Sequence, residues 1–387
     1  MNLLGADLYA SLAKDNTDNL VFSSASIMLA LAMTRAGALG TTGTEMDRVL
    51  RASLTGPDST ALHHALNALS AALDSRTGEF TVDEQTLPVE LAVANSLWGQ
   101  DGLPWASAFL DLLATEYGAG MRVVDYLTQS ELARETINRW VAQQTRDRIP
   151  ELLAKGTITP DVVLALVNAI YLKAPWLERF PTEATRDAAF HNIDGSTVEV
   201  PMMNLASEMQ YAAAQGWQAV ELAYVGGSLA MTIIVPDAEA FASVEGQLGS
   251  GLVDEVTRGF TSRPVSLSLP KFDVETKVEL SQVMSALGMS TAFDPDRADF
   301  SAMVDAAAPN AEQQRLYIGQ VIHQANIDVD EKGTTAAAAM AVVMRATAAP
   351  GEPVLMTFDR PFLFALRDVP TGAVLFLGRV GDPTAGR

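Results

Sequence analysis

The sequence predicts an α+β fold in a single domain that spans residues 1–387. Helical patterns dominate the first half of the chain, and short strand patterns dominate after Val198. No internal repeat, linker or break in composition divides the chain. A prior of about 150 residues per domain favours two or three domains. A second domain needs a boundary, however, and the sequence offers none.

Apolar residues at helical spacing predict five main helices. Ser23–Ser26 precede the second of these helices as its capping region, and Thr44 caps a further short helix through Leu50. Pro150 ends the fourth helix and Gly288 ends the fifth. The five segments are Leu3–Lys14, Ile27–Arg35, Ala61–Leu73, Glu131–Arg148 and Val278–Leu287.

The predicted strands are short apolar runs bounded by Gly, Pro and Asp. Val162–Leu172 is apolar on both faces, which is typical of a central strand in a sheet that is covered on both sides. Phe362–Arg367 and Ala373–Val380 form a predicted hairpin around the turn Val369–Gly372. The other predicted strands are Val89–Leu97, Trp217–Leu222, Leu229–Val235, Val265–Leu269 and Leu316–Asp330.

Composition excludes several classes of function. A net charge of -21 argues against sequence-independent nucleic-acid binding and against docking on anionic membranes. The chain has no cysteine, so it has no disulfide, thiolate nucleophile or cysteine metal site. No apolar run reaches the roughly 20 residues of a membrane span. The residues after Met1 lack a signal-peptide pattern, and the compartment stays open, because a secreted chain looks the same after processing.

The usual catalytic and cofactor motifs are absent from the sequence. The four histidines do not stand at metal-binding spacing, and His63 and His64 point to different sides of a helix. Gly249–Gly251 lacks the five-residue pattern of a nucleophile elbow, and no phosphate-binding or dinucleotide-binding loop is present. We therefore expect no enzyme, no cofactor and no metal. A catalytic site assembled from distant carboxylates is the alternative that the sequence leaves open.

The segment Thr334–Ala349 stands apart from the rest of the chain. It carries one charge, Arg345, in sixteen positions and lies between a predicted strand and a predicted hairpin. A buried Ala-rich helix is one interpretation, because Ala is the best helix former. Gly333 and the run Pro350–Pro353 flank the segment as loop residues, however, and no helical face of large residues is present. An apolar surface loop is unusual and fits a segment that becomes buried later.

The run Glu331–Ala339, with the sequence EKGTTAAAA, resembles the hinge of the reactive-centre loop in inhibitory members of the serpin family. Further blocks resemble serpin motifs in family order and cover nearly the whole chain, although Ser24 stands where the family often has Pro. These blocks are Asn19–Ile27, Val167–Trp176, Leu269–Phe272, Leu287–Met289, Ala298–Met303, Phe358–Phe364 and Leu375–Val380.

The resemblance implies a fold of about three β-sheets with eight to nine helices and an exposed reactive-centre loop at about residues 331–353. It also implies irreversible inhibition of serine proteases. A protease cuts the loop, forms an acyl-enzyme and is trapped when the cut loop inserts as a strand into the large sheet. We expect a monomer that needs no heparin-type cofactor. The alternative is a non-inhibitory serpin, such as a chaperone, carrier or storage protein.

The hinge residues implied by the resemblance are Glu331, Gly333, Thr334, Thr335, Ala336, Ala337, Ala338 and Ala339. From Thr334 onward they have small side chains, which alternate between the two faces of a strand. Family spacing from Glu331 places the reactive bond at Thr347–Ala348, which favours elastase-like or subtilisin-like proteases. Counting back from Pro361 gives a position near Pro350, and alternatives from Met344 onward stay open.

Two further groups of residues follow from the resemblance. A polar cluster that holds two strands together until the loop arrives consists of Ser23, Ser26, Asn168 and His323. Trp176 and Lys271, together with Glu331, match the point where insertion begins, and we expect a Lys271–Glu331 salt bridge there. The alternative for each of these residues is an ordinary buried polar group or a solvated charge.

Overall fold

The computed structural model describes residues 1–14, 16–56, 59–82, 84–118, 121–309, 315–334 and 352–385. Nine α-helices lie within these ranges. They are α1 (Asn2–Ala13), α2 (Ser24–Arg35), α3 (Gly40–Val49), α4 (Ser59–Asp74), α5 (Ser107–Tyr117), α6 (Tyr126–Gln144), α7 (Phe241–Glu245), α8 (Leu252–Arg258) and α9 (Ser281–Met284). A π-helical turn, Ser285–Met289, continues α9.

Seven of the strands in these ranges form one sheet, which we call the hinge sheet. Its strands are β2 (Gly78–Val82), β3 (Gln85–Gln100), β4 (Arg122–Val124), β5 (Leu164–Pro175), β11 (Phe272–Glu279), β12 (Ile322–Asp330) and β13 (Gly333–Thr334). Their order is β11-β12-β13-β5-β3-β2, and β4 pairs with β3 in parallel.

The other nine strands that the structure describes form a second sheet, in the order β1-β16-β15-β9-β8-β7-β10-β14, with β6 beside β7. They are β1 (Leu20–Phe22), β6 (Arg186–His191), β7 (Thr197–Ala214), β8 (Trp217–Ala223), β9 (Leu229–Pro236), β10 (Thr261–Pro270), β14 (Val354–Thr357), β15 (Phe362–Asp368) and β16 (Ala373–Val380).

The prediction of an α+β fold with eight to nine helices is confirmed. The strands join into two sheets where about three were expected, because β7 is 18 residues long. One edge of β7 pairs with β10, while the other pairs with β6 near Thr197 and with β8 near Ala214. One long strand therefore merges two groups of strands into a continuous sheet.

Hydrophobic burial explains how the helices cover the sheets. In α2 every residue from Ser24 to Thr34 is buried, so this helix lies inside the molecule between α1, α3, α4 and the strands β3, β5 and β16. A separate core beneath α6 contains Ile137 and Val141 of that helix and Val167 and Ala169 of β5. Side chains alternate along β5, so the hinge sheet is covered on the α2 face by one core and on the α6 face by another.

Some predicted boundaries were wrong. The helix expected over Val278–Leu287 begins only at Ser281, because β11 continues through Glu279. Thr44 does not cap α3, which begins at Gly40. The strand predicted over Leu316–Asp330 is present only from Ile322.

Candidate functional site

The first two hinge residues after Lys332 form a short strand inside the hinge sheet. Gly333 and Thr334 (β13) pair with Pro175 and Ala174 of β5 on one side. On the other side they pair with Asp330 and Val329 of β12. Among the residues that the structure describes, β13 is the pairing partner that connects β5 to β12. The start of the hinge therefore lies between two strands that run parallel to each other.

Gly333 occupies a position that only glycine fits. Its φ is +149°, and a Cβ atom added there would lie 2.2 Å from the carbonyl oxygen of Ala174. Asp330 closes the turn that precedes it, because its Oδ1 accepts the backbone N–H groups of Lys332 at 2.7 Å and of Gly333 at 3.2 Å. Burial raises the pKa of the Asp330 carboxyl, although these two backbone hydrogen bonds act in the opposite direction.

Thr334 is buried and is held by an aromatic pair. Its Oγ1 lies 2.6 Å from the hydroxyl oxygen of Tyr224. The Tyr224 ring stacks on Trp176, with ring centroids 4.4 Å apart and an interplanar angle of 14°. Trp176 Nε1 donates to the carbonyl of Asp330 at 3.0 Å, and the Trp176 backbone N–H donates to the carbonyl of Lys332 at 2.9 Å. The residues around the hinge thus fix one another through aromatic stacking and hydrogen bonds.

The salt bridge expected between Lys271 and Glu331 is present, with Nζ 2.6 Å from Oε1. The Thr185 hydroxyl donates to the same oxygen at 2.8 Å, and the backbone N–H of Phe180 donates to the Glu331 carbonyl at 3.1 Å. Burial acts to raise the pKa of the Glu331 carboxyl, but the hydrogen bonds from Lys271 and Thr185 outweigh it and the pKa is lowered. A charged Glu331 is therefore built into this end of the sheet.

The four residues of the predicted polar cluster lie together where α2 meets β5 and β12. The backbone N–H of Ser23 donates to His323 Nε2 at 3.1 Å, and His323 Nδ1 lies 3.1 Å from Asn168 Oδ1. The Asn168 amide donates to the Ser26 carbonyl and to Asn95 Oδ1 on β3. The Ser23 hydroxyl accepts the Ser26 backbone N–H at 3.1 Å and caps α2. The cluster thus connects one helix to three strands.

These contacts fix the protonation state of His323. A backbone N–H can only donate, so Nε2 must accept and Nδ1 must carry the hydrogen that Asn168 Oδ1 receives. Only the neutral imidazole satisfies both bonds. Burial lowers the pKa of His323 to about 3, which agrees with this assignment. The hydroxyl of Ser26 is buried and has no hydrogen-bond partner among the described residues.

The remaining predicted site residues lie outside the described residues. They are Thr335, Ala336, Ala337, Ala338 and Ala339 of the hinge and the reactive bond Thr347–Ala348. The described part of the chain contains no group of three or more His, Cys, Asp or Glu residues placed to hold a metal ion. No helix in those ranges is long and apolar enough to cross a membrane.

Three site residues were missed from the sequence: Tyr224, Thr185 and Asn95. Each contacts a predicted residue across 73 to 146 positions of the chain, so no local spacing indicates it. Asn95 and Asn168 are register partners on β3 and β5, and only the sheet pairing brings them together. Tyr224 follows a strand of the second sheet, and an isolated bridge to Trp176 places it beside the hinge.

Comparison with known proteins agrees with this architecture. A family model described as serpin (serine protease inhibitor) matches residues 1–383. An uncharacterized serpin-like protein of Thermococcus kodakarensis is 36% identical over 388 residues, which cover 100% of this chain and 85% of that relative. Leukocyte elastase inhibitor of Bos taurus is 34% identical over 388 residues, which cover 97% of each chain.

Solved structures show the same fold. A cleaved serpin described as Serpin 42Da has a TM-score of 0.83 at 30% identity, with 98% of this chain and 96% of that chain covered. Thyroxine-binding globulin in complex with thyroxine also has a TM-score of 0.83, at 24% identity, with 98% and 97% covered. The match across residues 1–383, together with these relatives, establishes that the chain belongs to the serpin family.

Proposed function

We propose that this protein is an irreversible inhibitor of serine proteases that works once and is then consumed. In this mechanism the chain is one serpin domain with a reactive-centre loop at about residues 331–353. A protease attacks the loop and forms an acyl-enzyme. The cut loop then inserts into the hinge sheet between β5 and β12, and the distorted protease cannot complete deacylation.

The observation that carries this proposal is the position of β13. Gly333 and Thr334 already pair with both strands between which the loop would insert. If the same register continues, residue 340 lies opposite Asn168 on β5 and opposite His323 on β12. The side chains of both of these residues belong to the polar cluster, so insertion must separate them. This supports a role of the cluster in holding the sheet closed.

The same register supports the assigned reactive bond. Residue 344 would lie opposite Leu164, where β5 begins, so insertion along the whole strand uses the chain up to that point. Thr347 follows three residues later, which leaves the acyl linkage just beyond the far end of β5. A cut before Met344 would halt insertion before the strand is fully paired. Small residues at Ala346, Thr347 and Ala348 favour proteases with a small primary pocket, such as elastase-like or subtilisin-like enzymes.

Insertion also has a sufficient driving force. It would add on the order of ten ladder hydrogen bonds, each worth about 1 kcal/mol net. It would also bury apolar side chains at roughly 25 cal/mol per Å². The intact form is then a kinetic trap that the cut releases. The proposed partners are serine proteases, and no catalytic role is assigned to any residue of this chain.

The second candidate is a non-inhibitory serpin. One solved structure with the same fold is thyroxine-binding globulin, which is described in complex with thyroxine. This neighbour is the observation in favour of a carrier. Non-inhibitory members tend to carry bulky or charged hinge residues, whereas Thr334–Ala339 here are all small. The hinge sequence therefore favours inhibition.

The test is incubation with pancreatic elastase, subtilisin, chymotrypsin and trypsin, followed by denaturing gel electrophoresis. We expect a covalent complex with elastase or subtilisin, and a released fragment that begins at Ala348 by mass spectrometry. The matched control is Thr334→Arg, which cannot enter the buried site beside Tyr224 and should be cleaved without forming a complex. Cleavage of the parent protein by all four proteases without any complex contradicts the proposal. A fragment that begins elsewhere contradicts only the assigned bond.

A further inference from the structure

We infer that Tyr224 is a positioning residue that sets the register in which the loop enters the hinge sheet. It does so through the hydrogen bond that its hydroxyl shares with Thr334, the first hinge side chain buried in the sheet. This inference rests on the proposed inhibitory function and assigns to that function a residue that no sequence motif indicated.

Backbone pairing alone cannot select the register of an inserting strand. Ladder hydrogen bonds between main-chain groups are the same wherever the strand lies along its neighbours. A shift of one residue turns every side chain to the opposite face of the sheet. In the observed register Thr334 faces the core on the Tyr224 side. The alternation of strand side chains then sends every even-numbered residue of the loop to that same face.

Gly333 permits this register but does not select it. The absence of a Cβ allows the close approach of the Ala174 carbonyl, and glycine would also be tolerated at other positions. Thr334 is different, because its hydroxyl is buried and needs a partner. Tyr224 Oη supplies that partner at 2.6 Å. A shifted strand would leave the buried Tyr224 hydroxyl without this bond, and a buried hydroxyl without a partner is unfavourable.

The Tyr224 hydroxyl is held in place by its surroundings. Its ring is fully buried and stacks on Trp176, whose Nε1 and backbone N–H donate to Asp330 and Lys332. The backbone N–H of Tyr224 donates to the carbonyl of Leu229 at 3.0 Å, which ties it to the β8–β9 hairpin. The hydroxyl is therefore attached to a rigid support that contacts the hinge on both sides of Gly333.

The experiment compares the variants Tyr224→Phe, Thr334→Val, their combination and Thr334→Ser. The control is Tyr9→Phe, which removes a buried hydroxyl that donates to Glu245 at 2.7 Å and belongs to α1, outside the hinge sheet. Two quantities are measured. The first is the stoichiometry of inhibition with the trapped protease, and the second is hydrogen–deuterium exchange of the intact protein in peptides that contain Glu331–Thr334.

We expect Tyr224→Phe and Thr334→Val each to raise the stoichiometry of inhibition two- to fivefold and to speed exchange at the hinge about tenfold. The double variant should be no worse than either single variant, because both substitutions remove the same bond and together they leave no hydroxyl of that pair unbonded. Thr334→Ser keeps a hydroxyl and should resemble the parent, and Tyr9→Phe should change neither quantity, whatever it does to thermal stability.

Unchanged hinge exchange in Tyr224→Phe overturns the inference, as does an additive effect in the double variant or an unchanged stoichiometry in a parent that inhibits. If the parent traps no protease, the proposed function fails. In that case the exchange measurements alone decide whether Tyr224 positions the hinge.

Discussion

His323 Nδ1 lies 3.1 Å from Asn168 Oδ1, and this hydrogen bond joins β12 to β5 in the middle of the hinge sheet. On the other side of the ring, His323 Nε2 accepts the backbone N–H of Ser23 at the start of α2, and this second bond needs a neutral imidazole. Protonation of Nε2 would place it face to face with the Ser23 N–H, another donor, whereas Nδ1 would still donate to Asn168. The contact of the cluster that is sensitive to acid is therefore the one between His323 and Ser23, which ties β12 to the start of α2.

The first prediction concerns pH. The pKa of His323 is about 3 in the folded protein and about 6.5 in an unfolded chain, so the unfolded state binds more protons between these values. Stability is fully present above pH 6.5 and is lost as the pH falls towards 3. At pH 4.5 the loss is roughly 2–3 kcal/mol relative to pH 7. Urea unfolding of the parent and of His323→Gln at both pH values measures it.

The variant His323→Gln should lose less stability between pH 7 and pH 4.5 than the parent. Some sensitivity will remain, since burial also lowers the pKa of His63 to about 4. His63→Gln is therefore the matched control for a histidine outside the cluster. If parent and His323→Gln lose the same free energy, protonation of His323 does not account for the loss.

The second prediction concerns Gly333. Gly333→Ala places a methyl group against the Ala174 carbonyl, at a φ of +149° that alanine avoids. The start of the hinge cannot then pair with β5, and we expect at least a tenfold higher stoichiometry of inhibition. Gly249→Ala is the control, because an added Cβ there meets no atom within 4 Å. Equal inhibition by Gly333→Ala and the parent would show that β13 is dispensable.

The third prediction concerns the salt bridge between Lys271 and Glu331. Lys271→Glu leaves Glu331 buried beside a like charge and should cost about 2–4 kcal/mol in urea unfolding. Reversal of both charges, Lys271→Glu with Glu331→Lys, should recover part of this loss. The lowered pKa of Glu331 means that its contribution is present above the unfolded pKa and is lost as the pH falls through the folded value. If the double variant is as unstable as Lys271→Glu alone, the side chains at positions 271 and 331 do not pair directly.

The fourth prediction tests a buried ion pair outside the site. Arg76 Nε lies 2.6 Å from Oδ1 of the fully buried Asp368, so Arg76→Ala leaves an unpaired buried carboxylate. We expect a loss of about 3–5 kcal/mol in the free energy of unfolding. The control is Arg51→Ala, whose pair with Asp7 has side chains 43% and 37% exposed, and which should lose less than about 1 kcal/mol. Equal losses would mean that burial of Asp368 does not set the effect.

Sequence patterns predict the elements of this fold better than their ends. Ser23 was expected in the capping region of α2, because a serine before an apolar helical run satisfies free N–H groups, and it does accept the Ser26 N–H. The helix expected from Val278 fails because apolar residues there alternate with Glu and Lys along β11. Periodicity over so few residues does not separate the two structures.

The site residues also form two groups, those that the sequence indicates and those that it does not. Asn168, which belongs to a recognisable block, and His323, which lies eight residues before Glu331 of the hinge, could be assigned by resemblance. Asn95 and Thr185 could not, because a polar residue in a strand or loop has no local signal for a partner 73 or 146 positions away. Their contacts follow from sheet register, which long-range pairing decides.

The two-residue strand β13 changes which step of loop insertion is expected to be the slow one. A new strand in a sheet usually begins with an unfavourable nucleus, since its first residues lose backbone entropy before many bonds form. Gly333 and Thr334 already form this nucleus, because they are paired with β5 and β12. Further residues would add to an existing strand end, which is elongation. The slow step then moves to the parting of β5 from β12, so substitutions at Asn168 should alter the trapping rate more than substitutions that affect the initial approach of the loop.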